Sequence, residues 1–304
     1  MGLKIFLSLV FIIVVLALLI LYWFIPFSQT EFLINSQSPN FSIKVNEEKL
    51  QFYDNMRFPS SEISYKIEDC TLQKTQNMLG AFEVISANTI LNFYEVAKNE
   101  QITIYCDSKN KIEQGLFIAG EGGPTNITKA GEFNIITHGK ILLIKESTCP
   151  KPNIAIHELL HVLGFDHVAD PNNIMYEISR CNQEISPTTI DLINLLYAIP
   201  ENPDLLFEDA YAIMNGKYLD INISIRNNGF ADAPETKLII YADNSAVKEF
   251  PIETLKIGHG RIISLTNIWV GQISVNTIKA EIKTSFNELK KENNEILLKV
   301  KNKD

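Results

Sequence analysis

The stretch HELLHVLGFDH at residues 157–167 holds three of the chain's five histidines and leaves few local folds open. His157 and His161 are four positions apart, so on a helix their imidazoles share one face, one turn separated. The surrounding run IAIHELLHVLGF has the apolar spacing of a buried helix. Imidazoles carried into an interior need partners for their ring nitrogens, and a shared metal ion supplies one. Glu158 follows His157 with a rotation of about 100°, so it is no co-ligand and is placed to reach a water at the metal's fourth position. Gly164 can take the left-handed conformation that ends a helix, and the turn it allows brings His167 round as a third nitrogen. Three protein ligands with an open vertex are how catalytic zinc is held. The candidate site is therefore His157, His161 and His167 on one zinc ion, with Glu158 as general base. His138 and His259, each beside a glycine, read as turn residues without a ligand role.

Net charge decides what such a site works on. A formal charge of -9 and a pI near 5.2 provide no basic field for phosphates, which excludes a nucleic-acid partner. The run from Ile5 to Phe24 carries no charge, and about 20 such residues span the ~30 Å hydrocarbon core of a bilayer. A cleavable signal has an apolar stretch of only about 7–15 residues and a small-residue cleavage site, whereas IPFSQTEF follows here. A retained anchor is expected. Lys4 before it and Tyr22 and Trp23 near its end place the N-terminus in the cytoplasm and the remainder outside.

Cys70, Cys106, Cys149 and Cys181 all lie beyond the anchor, where disulfides persist. Of three connectivities we expect Cys149–Cys181, bracketing the histidine segment, and Cys70–Cys106. Closing a loop of about 30 residues stabilises a fold by ~3–4 kcal/mol on the chain-entropy view. Sequons at Asn40, Asn126 and Asn222 are compatible with an exterior location.

The expected organisation is an anchor at 1–27, a polar stalk at 28–55, an α+β unit at 56–200 and an all-β sandwich at 201–304. In the α+β unit ISYKI, LNFYEV and ITIYC read as strands, and LQKTQNMLGAFEVISANT as a helix with Leu79, Phe82, Val84 and Ile85 inward. FNIITHGKILLIK reads as a hairpin turning at His138-Gly139. SPTTIDLINLLYAI is a helix capped by Ser186 or Thr188. After residue 200 short alternating runs separated by NNG, DNS and GHG suit a sandwich. There is no internal repeat and no low-complexity tract.

The pattern HExxHxxGxxH, followed by VADPNNIMY with Met175, resembles the metzincin metallopeptidases, and most nearly their matrixin branch. The resemblance runs over about 57–199 and includes RFPSSEISYKI and ISPTTIDLINLLY. It implies a cleft with one zinc at its floor, Met175 as an apolar base beneath the metal, and an edge strand that pairs with substrate backbone, for which GLFIAGEGGP at 115–124 is the candidate. The second, structural zinc of vertebrate matrixins has no histidine ligands here, no cysteine-bearing propeptide precedes the unit, and calcium is left open. ISIRNNGFADA and NELKKENNE resemble the CARDB-type immunoglobulin-like modules of prokaryotic surface proteins, which implies a spacer or a cell-surface partner. The fold class expected is an α+β metzincin-like zinc peptidase domain between a transmembrane helix and an immunoglobulin-like sandwich. The function expected is a membrane-anchored endopeptidase acting on protein or peptide substrates outside the cytoplasm. The alternatives are an adhesion protein with a structural or vestigial metal site, and a peptidase maturing surface proteins in cis.

Overall fold

A computed structural model describes residues 2–23, 29–37, 49–108, 111–113, 116–147, 149–272 and 274–300. The chain divides into two compact units. One comprises Met1–Asn40, Asp204–Asn227 and Asp232–Asp304, and the other Phe41–Pro203 with Asn228–Ala231.

Helix α1 (Gly2–Trp23) is long and apolar enough to cross a membrane, and its aliphatic side chains from Ile5 to Leu21 are exposed. Strand β1 (Gln29–Gln37) follows. It lies in the segment expected to be a stalk, and instead it is a strand of the C-terminal sheet, with Phe32 fully buried. Residues 38–48 of that expected stalk, with Asn40, lie outside the described residues, as do Phe24 to Phe27 and the side chains of Tyr22 and Trp23.

The histidine-bearing unit begins with β2 (Met56–Arg57), β3 (Glu62–Glu68), α2 (Leu72–Asn88), β4 (Asn92–Glu95) and β5 (Ile102–Cys106). There follow β6 (Lys111–Glu113), β7 (Leu116–Ile118), β8 (Gly120–Ala130), β9 (Phe133–Leu143), α3 (Asn153–Val162) and α4 (Pro187–Tyr197). Its sheet runs β2-β9-β5-β3-β4 with every neighbour parallel, and β8 joins β9 antiparallel. Parallel neighbours require crossovers, which helices supply; the α+β class holds.

The expected hairpin at His138-Gly139 does not form. β9 passes straight through both residues, and the chain turns at Gly131-Glu132, where Gly131 has φ +58°. The glycine was misread because a strand glycine also marks a close backbone approach; a Cβ on Gly139 would stand 2.5 Å from Val162 Cγ1 of α3. His138 bridges Thr103 Oγ1 at 3.0 Å and Thr125 Oγ1 at 2.7 Å through its two ring nitrogens.

Thr71 caps α2, accepting from the Lys74 amide at 3.4 Å, and Ser186 caps α4, accepting from the Thr189 amide at 3.2 Å. The buried stripe of α2 is Lys74, Met78, Ala81, Phe82 and Ile85. Leu79, expected inward, is 38% exposed, because the stripe centres on Met78 and Phe82; Val84 is half-buried. Lys74 tolerates burial because its Nζ donates to the Asp107 carbonyl at 2.6 Å. Both expected disulfides are present: Cys70–Cys106 ties the start of α2 to the end of β5, and Cys149–Cys181 ties the approach to α3 to the loop before α4.

The second unit adds β10 (Leu205–Asn215), β11 (Tyr218–Asn227), β12 (Thr236–Ala242), β13 (Ser245–Ile252), β14 (Gly260–Trp269), β15 (Thr277–Lys283) and β16 (Glu295–Val300). The sheet order is β13-β12-β15-β16-β1-β10-β11-β14, antiparallel throughout. Alternation puts Leu219, Ile221, Ile223 and Ile225 of β11 inward, and they share one apolar cluster with Phe32, Phe207, Ile240, Ile278 and Leu298. This is the all-β sandwich expected from the turn rhythm, with its first strand supplied from before the histidine unit.

Candidate metal centre

α3 ends where its sequence says it should. Gly164 has φ +96°, its amide donates to the His161 carbonyl at 2.9 Å, and the Phe165 amide donates to the Leu160 carbonyl at 3.0 Å. This pair of bonds around a positive-φ residue is the Schellman motif. A side chain at 164 would also meet Met56, whose Cβ would lie 2.7 Å from the new Cβ.

The turn gathers the three rings. His157 Nε2 and His161 Nε2 are 3.0 Å apart, His161 and His167 3.1 Å, and His157 and His167 3.2 Å. Zinc–nitrogen bonds of about 2.0–2.1 Å in a tetrahedral set put ligand nitrogens roughly 3.3 Å apart, so the triangle fits one such ion. The other ring nitrogens are committed: His157 Nδ1 donates to the Ile174 carbonyl at 2.6 Å and His161 Nδ1 to the Phe165 carbonyl at 2.8 Å. Each bond fixes the tautomer that leaves Nε2 with a lone pair facing the metal position. Burial pushes His161 down to about 4, with His157 beside it adding to the effect, and burial lowers His157 too. Both rings are therefore neutral near pH 7, as ligands must be.

The methionine segment acts through its backbone as well as its side chain. Met175 is buried, its carbonyl accepts from the Val168 amide at 3.0 Å, and the preceding carbonyl, of Ile174, is the one that orients His157. Two supports escaped the sequence reading. Gln183, 1% exposed, donates to the Pro171 and Ile178 carbonyls and accepts from the Arg180 amide, binding the loop together. Residues 50–52, within the expected stalk, clamp the third-histidine turn. The Phe52 amide donates to the Gly164 carbonyl, the Asp166 amide donates to the Leu50 carbonyl, and the Phe52 ring stacks on His161 at 5.7 Å.

Glu158 is 6% exposed. Burial, with the charge of Glu121 adding, pushes its carboxyl up to about 8; a neighbouring divalent cation acts in the opposite direction. Above it runs β8. A Cβ on Gly120 would lie 2.8 Å from Glu158 Oε1, and one on Gly122 only 2.3 Å from the Glu158 carbonyl oxygen. The candidate edge strand at 115–124 thus resolves into parts: Gly115 lies outside the described residues, Leu116–Ile118 is β7, and 120–124 opens β8, which needs its glycines to lie this close to α3. Gly122→Ala is expected to drive strand and helix apart, lowering stability by about 1–3 kcal/mol and any hydrolytic activity at least tenfold. Gly123→Ala, with open space at its Cβ position, should leave both unchanged. Thermal unfolding and initial rates of the two variants check this.

No curated protein matches the chain. A solved CARDB domain from Pyrococcus furiosus, in complex with di-metal ions, is 19% identical, covers 33% of this chain and 89% of its own, and has a TM-score of 0.27. The family model described as Matrixin matches residues 57–198, and the one described as CARDB matches residues 202–297. The chain thus carries a region similar to matrixins, followed by a region similar to CARDB domains.

Proposed function

We propose that this chain is a zinc-dependent endopeptidase, held at a membrane by α1 and acting on proteins outside the cytoplasm. The observation that supports it most is the triangle of Nε2 atoms of His157, His161 and His167, 3.0 to 3.2 Å on a side, each free to bind one ion. Zinc, when bound, supplies Lewis-acid activation of a water and of the scissile carbonyl. Glu158 takes the proton of the attacking water as its oxygen bonds to the carbonyl carbon, then gives it to the leaving amine as the C–N bond breaks. The buried surroundings of Glu158 keep bulk water from competing for that proton.

Substrate binds as an added strand. β8 pairs with β9 on one side, and an extended peptide on its other side would gain main-chain hydrogen bonds whatever its side chains, which favours broad sequence tolerance. Met175, Gln183 and Phe52 position the histidines without touching substrate.

The test is metal analysis and cleavage of an unfolded protein by the full chain in detergent. One zinc per chain with cleavage is expected, and His161→Ala should lose both. Zinc retained at full occupancy without cleavage of any unfolded substrate would favour the adhesion reading. Protease accessibility in intact cells reads the topology: an ectodomain shielded from added protease would overturn the exterior assignment.

A further inference from the structure

The loop between β15 and β16 carries a second constellation, in the sandwich unit. Asp204, at the entrance to β10, and Asn293 are fully buried, Asn294 is 5% exposed, and Glu288 is half-buried. Asn293 Nδ2 donates to Asp204 Oδ1 at 3.1 Å, and Asn294 Nδ2 donates to Glu288 Oε2 at 2.5 Å. These bonds fix both amides, because a flipped amide would set oxygen against carboxylate oxygen. Consecutive asparagines thus hold two carboxylates around one turn of chain, itself closed by the Asn294 amide donating to the Lys291 carbonyl at 3.2 Å and by the Ile282 amide donating to the Asn294 carbonyl at 2.9 Å.

What remains is a set of acceptors. Asp204 Oδ2, Glu288 Oε1, Asn293 Oδ1 and Asn294 Oδ1 are all buried, and none has a hydrogen-bond donor. Among the described residues seven buried side-chain atoms are in this position, and four of them fall on these linked residues. Every one is an oxygen. A single water has two hydrogens, too few for four acceptors. Burial pushes Glu288 up to about 7, with Asp204 adding, and burial raises Asp204 despite the amides of Asn293 and Lys290. Lys290 and Lys291 lie on the same loop and draw the carboxyls down, Lys290 also through its backbone amide on Asp204.

We propose that Asp204, Glu288, Asn293 and Asn294 form an oxygen-only binding site for a calcium ion, separate from the histidine centre. Two carboxylates with two amide oxygens are a hard-cation donor set, whereas zinc favours nitrogen and sulfur. Calcium accepts six to eight such oxygens in flexible geometry, while magnesium gives up its waters reluctantly; a buried set of side-chain oxygens therefore selects calcium. The ion would fasten the 284–294 loop to the start of β10 and so bind together the two ends of the sandwich sequence.

The experiment is equilibrium dialysis of radioactive calcium against the full chain in detergent, freed of divalent ions and reloaded with one equivalent of zinc, with thermal unfolding in parallel. The expected result is one calcium per chain at sub-millimolar concentration, a midpoint raised by several degrees, and no displacement by tenfold magnesium. Glu288→Gln, conservative and half-exposed so that folding survives, should weaken binding at least tenfold. His161→Ala should leave it unchanged, which separates this site from the proposed peptidase centre. No binding by the wild type up to millimolar calcium, binding by Glu288→Gln equal to wild type, or displacement by magnesium would each overturn the assignment.

Discussion

Glu158→Gln is expected to cut turnover on an unfolded protein substrate by about 10²–10⁴-fold, the usual contribution of a positioned general base, while one zinc per chain is retained. The carboxamide has the shape of the carboxyl and fits the space under Gly120 and Gly122, so strand and helix stay in register. It cannot accept the water's proton. Metal retention follows because Glu158 is not among the three converging nitrogens. Burial already disfavours the charged carboxylate, so removing the charge should leave the metal-free protein at least as stable as wild type. Turnover, zinc content and unfolding midpoint measured on one preparation decide it. A variant within tenfold of wild-type turnover would take the proton-transfer role from Glu158.

Arg57→Met should destabilise the histidine unit by about 3–5 kcal/mol, since it leaves several buried carbonyls without their donor at about 1–3 kcal/mol each. Arg57 is fully buried. Its Nε donates to the Phe58 carbonyl, Nη2 to the Pro59 carbonyl, and Nη1 to the Leu196 and Ile199 carbonyls at the end of α4. Its plane lies 4.7 Å from the Tyr197 ring centre and 4.2 Å from that of Phe230. The charge is met by carbonyl dipoles and the negative end of a helix, and by π faces. Methionine preserves bulk and strands the carbonyls; lysine keeps the charge but cannot fork to four acceptors, so Arg57→Lys should fall between. Hydrogen exchange at the α4 amides together with urea unfolding reads the loss. A cost below about 1 kcal/mol would mean that water reaches those carbonyls and that the guanidinium is dispensable.

What could be read beforehand was what depends on near neighbours in sequence. His157, His161, Gly164 and His167 are fixed by helical spacing and one backbone conformation, and the cap at Ser186 by the residue types that compete for free amides. Features assembled from distant residues were out of reach. Arg57 is a charge in a core, which a hydrophobic pattern cannot announce, and apart from the adjacent Phe58 and Pro59 carbonyls its partners come from beyond residue 195. Gly139 looked like a turn because its reason for being glycine is Val162, from another element. Among the described side chains of β1 only Phe32 is buried, too little alternation to mark a strand before its neighbours are known. Phe52 and Gln51 seemed to be tether because the turn they hold lies more than a hundred residues on; Gln51 closes locally on Met56 through both ends of its amide.

The place of β1 between β10 and β16 decides how the chain responds to a nick. α1 is joined to the sandwich by a woven sheet as well as by peptide bonds through the histidine unit. A single nick on either flank of that unit therefore detaches nothing: one end remains covalently attached, and the sheet keeps the severed strand. Parting the histidine unit from the sandwich takes at least two cuts, one on each of its flanks.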